Sequence, residues 1–77
     1  MGGWRMPFSK SGLAARIRGR RAELDLTQEE LADKAGVNKD TIFRYENETF
    51  MPSAESLNAL AQALDTTPNY LLGWDDS

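Results

Sequence analysis

In the stretch KDTIFRYEN, residues 39–47, two cations, a carboxylate and an aromatic ring stand close together: Lys39, Asp40, Phe43 and Arg44. On a helix, at about 100° per residue, these four and Asn47 fall on one side. Thr41, Ile42 and Tyr45 fall on the other, which reads as the buried side. A face of donors, acceptors and a ring suits the edges of bases in the major groove of DNA. Lys39 and Arg44 can donate to guanine O6 and N7, Asp40 can accept from cytosine N4, and Phe43 can touch a thymine methyl group. The plainer alternatives are concrete. Asp40 at the first turn complements the helix dipole, Lys39 contacts phosphate alone, and Phe43 packs on a neighbour.

The elements that must hold this face are legible around it. Thr27 and Glu30 have the spacing of a capping box, with Leu26 and Leu31 at the staple positions. Leu31, Ala32 and Ala35 form the apolar stripe of that helix, and Gly36 supplies its left-handed end. Asn38 caps the next helix at once, with Val37 and Ile42 as its staple pair. Two short helices at a steep angle, the second carrying a polar outer face, have the layout of a helix-turn-helix. Ala32 is small where a close crossing needs it.

On these residues the chain resembles the Cro/repressor-type helix-turn-helix family (lambda repressor-like, XRE) of phage and bacterial regulators. The marks are TQEELA from Thr27, then Gly36 with Val37, then TIxRYEN from Thr41 to Asn47. Pro52, the helix around Leu57 to Leu64, and Tyr70-Leu71-Leu72-Gly73 continue the likeness, which runs from Leu13 to Gly73. The resemblance implies an all-α, compact five-helix bundle whose helices 2 and 3 form the helix-turn-helix. It implies backbone phosphate contacts from the residues matching Gln28, Asn38 and Asn47, with Thr41 and Arg21 as further candidates. It also implies an ion pair between Arg21 and Glu46 bridging the first and recognition helices. Relatives dimerise through the last helix and the loop before it, so Phe50, Met51, Pro68 and Leu71 are candidate dimer residues. The competing readings place Leu71 in the core of its own chain and pack Phe50 and Met51 under the loop. After Asn47 the chain departs from the family pattern of a Gly followed by basic residues. Glu48, Thr49, Phe50 and Met51 stand there instead, which weakens the expected phosphate grip and leaves the helix end less certain, since Glu does not easily adopt φ > 0.

Composition narrows the remaining classes. The chain has 77 residues, no Cys and no His, so it offers no thiolate metal site, no thiol nucleophile and no imidazole base. With no phosphate-cradling Gly loop and no inward-facing carboxylate pair, an enzyme is not expected, nor is a cofactor. No apolar run is long enough to span a bilayer, and a soluble cytoplasmic location is expected. The net charge of −3 argues against nucleic acid until its distribution is seen. Residues 1–22 carry six basic residues and no acid, whereas the rest carries three bases and all twelve acids.

The flanks are simpler. Residues 1–11, rich in Gly, Pro and Ser, read as a mobile arm in which Arg5 and Lys10 could meet DNA. Ser11 reads as the cap of a first helix running to Leu24, with Leu13, Ile17 and Leu24 on its inner face. Arg16, Arg18, Arg20 and Arg21 on that helix read either as a solvated charge run or as a phosphate grip. Ser53 opens a fourth helix with Leu57, Leu60, Ala61 and Leu64 at core spacing. Thr67 caps a fifth, with Pro68 at its first position. The domain is then residues 12–73, and 74–77 form an acidic tail. One such domain has too small a footprint for selectivity in a genome, so the expected partner is double-stranded DNA with a palindromic operator, bound by a homodimer. Repression by blocking a promoter is the expected action. The rival reading is an interaction module or antitoxin acting through a protein bound at the Phe50–Met51 loop.

Overall fold

The computed structural model describes residues 10–74. They form five helices, α1 (Lys10–Glu23), α2 (Gln28–Ala35), α3 (Lys39–Glu46), α4 (Ala54–Ala63) and α5 (Pro68–Leu72), with no strand among the described residues. The helix starts follow the side chains. The Thr27 hydroxyl accepts from the Glu30 N–H at 3.0 Å and the Glu30 carboxylate accepts from the Thr27 N–H at 2.9 Å, closing the capping box. Asn38, Ser53 and Thr67 accept in the same way from the N–H groups of Thr41, Ser56 and Tyr70. Each satisfies a backbone donor that the first helical turn leaves open.

The N-terminal boundary differs from the sequence reading. α1 begins at Lys10, so Ser11 lies inside the first turn and is not the cap, and residues 10 and 11 belong to the helix. The rest of the expected arm, with Arg5, lies outside the described residues, as do Asp75, Asp76 and Ser77 of the expected tail.

All five helices end in one way. The residue after the helix or one further on turns left-handed: Asp25 (φ 57), Gly36 (φ 76), Glu48 (φ 70), Asp65 (φ 56) and Gly73 (φ 80). The N–H of the residue that follows each of them reaches back to a carbonyl five positions earlier, from Leu26 to Arg21, Val37 to Ala32, Thr49 to Arg44, Thr66 to Ala61 and Trp74 to Asn69. This is the Schellman closure, which returns bonds to carbonyls that the last turn leaves open. Gly fills the left-handed position in two of the five. α3 closes with Glu48 in the left-handed position that Gly fills at the ends of α2 and α5, and it does so in the strained conformation.

The core gathers Leu13, Ile17, Leu31, Ile42, Leu60, Leu64 and Leu71, each with almost no exposed surface. α1 packs on α3 and α5, α2 packs on α3 and α4, and α4 packs on α5. Ala32 is fully enclosed, which lets α2 and α3 approach across the short turn. Leu24 does not join this core. It lies past the end of α1 and is 36% exposed, because the chain has already left the helix whose period placed it inward. Leu26, two residues on, packs against the core instead.

A left-handed conformation costs an L-residue about 1–2 kcal/mol, against roughly 0.5–1 kcal/mol of extra chain entropy that Gly loses on folding. Glu48→Gly should therefore raise the stability to urea by about 0.5–1 kcal/mol. A β-branched Glu48→Val should lower it, and the midpoints of the three unfolding curves provide the check.

Candidate nucleic-acid interface

The inner side of α3 is fully engaged. Ile42 and Tyr45 lie in the core, and Glu46 is the one charged residue buried among the described residues, at 7% exposure. Its carboxylate takes three hydrogen bonds. Arg21 donates through Nε to Oε2 at 2.7 Å and through Nη2 to Oε1 at 3.0 Å, a bidentate fork. Gln28, at the start of α2, donates through Nε2 to Oε1 at 3.1 Å. Arg21 also donates through Nη1 to the Leu26 carbonyl at 3.0 Å, tying down the α1–α2 loop. The Glu46 backbone carbonyl, in turn, accepts from Arg18 Nη1 at 2.8 Å. No buried side-chain N or O among the described residues lacks a partner.

The outer side of α3 is open. Lys39, Asp40, Phe43, Arg44 and Asn47 are all exposed, as the helical period requires, and Phe43 shows 51% of its surface. Asp40 and Arg44 are not independent, because Arg44 donates through Nε to Asp40 Oδ2 at 3.1 Å. The Arg44 guanidinium also lies 5.1 Å from the centre of the Phe50 ring. Asn38 and Asn47 stand at the two ends of α3 and are exposed. Each uses its side-chain oxygen locally, Asn38 toward Thr41 and Asn47 toward Thr49. Thr41 is half-buried, and its hydroxyl donates to Asn38.

Between the N-termini of α2 and α3 lies an open cleft of about 450 Å³ lined by Arg21, Thr27, Gln28, Glu29 and Lys39. The unpaired amides of a helix start favour an anion here. Lys39 and the exposed edge of Arg21 add positive charge, and Glu29 opposes it.

For several residues the structure chooses between readings that the sequence leaves open. Leu71 has no exposed surface and belongs to the core of its own chain, so its side chain is not free to meet a second copy. Met51 packs against the same core, whereas Phe50 is 46% exposed, so the pair does not form one apolar patch. Pro68 is half-buried. Each of the α1 arginines has a partner within the fold. Arg16 lies over the Tyr70 ring at 5.6 Å, Arg18 holds the end of α3, and Arg21 holds Glu46. Arg20 donates to the carbonyls of Leu64 and Asp65 at the end of α4. A cation at a carbonyl end also opposes the negative pole of the helix. Helical periodicity alone did not reveal these roles, because each of these partners lies on another helix or at its end.

The helix-turn-helix family pattern matches residues 17–71, from the middle of α1 to the middle of α5. The chain belongs to the helix-turn-helix family. Its five-helix arrangement is the lambda repressor-like fold expected from the sequence. The chain is 38% identical over 63 residues to the repressor protein C2 of Salmonella phage P22, a match that covers 82% of this chain and 29% of that protein. It is 43% identical over 49 residues to the cryptic phage CTXphi transcriptional repressor RstR of Vibrio cholerae, covering 64% of this chain and 44% of RstR. The chain thus spans less than half the length of either repressor. Among solved structures, the P22 c2 repressor in complex with synthetic operator 9T superposes with a TM-score of 0.77 at 38% identity, over 82% of this chain and 96% of that one. No described helix of this helix-turn-helix chain is long and apolar enough to cross a membrane.

The Glu46 network yields a stability test. Arg21→Ala leaves the buried carboxylate with the single hydrogen bond from the Gln28 side chain among the described residues. Breaking an enclosed pair costs about 3–5 kcal/mol, and the partial exposure of Arg21 should bring this to roughly 2–3 kcal/mol. Arg21→Ala with Glu46→Leu should recover part of that loss, and urea unfolding of the single and double variants measures it.

Proposed function

We propose that this chain is a sequence-reading DNA-binding regulator that represses transcription, with α3 in the major groove. The carrying observation is the division of α3 into two faces. Its inner face is held by the core and by Arg21 and Gln28, and its outer face presents Lys39, Asp40, Phe43 and Arg44 without any role in the fold beyond their contacts with one another and Phe50. Arg44 and Lys39 reach guanine, Asp40 reaches cytosine and Phe43 reaches a thymine methyl group. Gln28, Asn38, Asn47 and the cleft between the starts of α2 and α3 receive backbone phosphates, which set register without reading sequence. The repressors similar to this chain, one of them solved on a synthetic operator, support the same reading.

Two copies on a palindrome are part of the proposal, because one α3 touches only a few base pairs. Phe50 and Pro68 remain as dimer candidates, since Leu71 is enclosed. The location that follows is the cytoplasm of a bacterial or phage-infected cell. A protein partner seated on Phe50 and Met51 together is not favoured, because Met51 is half-buried against the core.

Selection from a randomised duplex pool, then anisotropy titration of the recovered sequence, tests the proposal. A palindrome should emerge, and Arg44→Ala should relax one base position per half-site by about 1–3 kcal/mol. With the α1 arginines engaged, few cations are left for phosphate. The slope of log K against log salt should be shallow, about −2 to −4 for a dimer that neutralises one or two phosphates per chain. A steeper slope would assign phosphate contacts to α1 or to residues 1–9. No enrichment at low salt would overturn the DNA reading.

A further inference from the structure

Phe50 is a large apolar side chain that the core does not enclose. It lies beyond α3, outside the core, and is 46% exposed. The loop that carries it is nevertheless built and not loose. Glu48 turns left-handed, Asn47 accepts from the Thr49 N–H, and the N–H groups of Thr49 and Phe50 both donate to the carbonyl of Arg44, at 2.9 and 3.4 Å. The loop thus folds back onto the residue whose side chain it meets. The Phe50 ring then lies 5.1 Å from the Arg44 guanidinium, within reach of a cation–π attraction, while Asp40 accepts from Arg44 Nε at 3.1 Å. A free arginine side chain samples many rotamers, and holding it in one removes that entropy before binding.

We infer that Phe50 is a positioning residue for Arg44: its ring and the Asp40 carboxylate hold the guanidinium on the open face of α3, so that Phe50 sets base preference without touching a base. This rests on the DNA-reading proposal above. Asp40 takes only the Nε–H, so the Nη groups are the atoms left to donate in a bidentate manner to a guanine edge. The departure from the family pattern after Asn47 gains a role in this way. Where basic residues would add affinity to any sequence, an aromatic residue orders the side chain that discriminates.

The test uses the full chain and the duplex recovered by selection. The readout is the ratio of dissociation constants for that duplex and for one altered at the base position that Arg44→Ala relaxes. Phe50→Leu should reduce this ratio by about two- to fivefold, the range set by an exposed cation–π contact, and Phe50→Tyr should retain it. Ratios at the other base positions and the salt slope should stay unchanged. In an Arg44→Ala background, Phe50→Leu should change nothing further. In the free protein, the δ protons of Arg44 should show an upfield ring-current shift that disappears in Phe50→Leu. The inference is overturned if Phe50→Leu weakens all duplexes equally, if Phe50→Tyr fails to rescue, or if the two substitutions act additively. If the unsubstituted chain selects no duplex, the DNA reading fails and takes this inference with it. If a duplex is selected and the Phe50 variants read it alike, the inference alone fails.

Discussion

The buried carboxylate of Glu46 is the constraint on which the orientation of α3 depends. An ionised group taken from water must be paired and hydrogen-bonded or it destabilises the fold by several kcal/mol. Here the donors come from two other helices, Arg21 on α1 and Gln28 at the start of α2. Such a pair contributes little net stability compared with apolar packing, but it is demanding in geometry. If α3 rotated by one residue, about 100°, Glu46 would leave both partners. Together with Ile42 and Tyr45 it fixes which side of α3 faces inward, and so which four side chains face out.

The ends of the helices make a second set of constraints, and α1 serves them. Three of its arginines reach backbone carbonyls: Arg18 at the end of α3, Arg20 at the end of α4 and Arg21 in the α1–α2 loop. The basic run RIRGRR is thus a clamp across the bundle, which gives four of the six cations in the first 22 residues a role within the fold. It also limits what remains for phosphate. Lys39 and Arg44 stand out on α3, with Asp40, Glu29 and Glu48 exposed around them. Recognition on such a surface depends on the match of side chains to base edges more than on bulk attraction.

Much of this was legible in the residues. The capping box at Thr27, the caps at Asn38, Ser53 and Thr67, the turn at Gly36 and the two faces of α3 follow from local rules, and local rules act within one turn. What was not legible is of two kinds. The period of α1 places Leu24 inward only if the helix runs past Glu23, and Ser11 has a cap's chemistry but lies where the helix already runs. The roles of Arg18, Arg20 and Phe50 depend on partners brought close by the fold. Leu71 was open between core and interface because an apolar residue on a short helix suits both, and only its full enclosure decides. Glu48 shows a local rule outvoted. A Schellman closure with bonds on either side holds it left-handed although its own preference is against it.

The central proposal is that the outer face of α3 meets the base edges of DNA, with Gln28 and Asn38 at the neighbouring helix starts on phosphate. Its most direct test is an amide and side-chain NMR titration of the chain with the selected duplex and with a shuffled duplex of equal length. With the selected duplex, shifts should concentrate at Gln28, Asn38, Lys39, Asp40, Phe43 and Arg44, and leave the exposed residues of α4, Glu55, Asn58 and Gln62, unmoved. Shifts centred on α4 or α5, with α3 unchanged, would contradict the account.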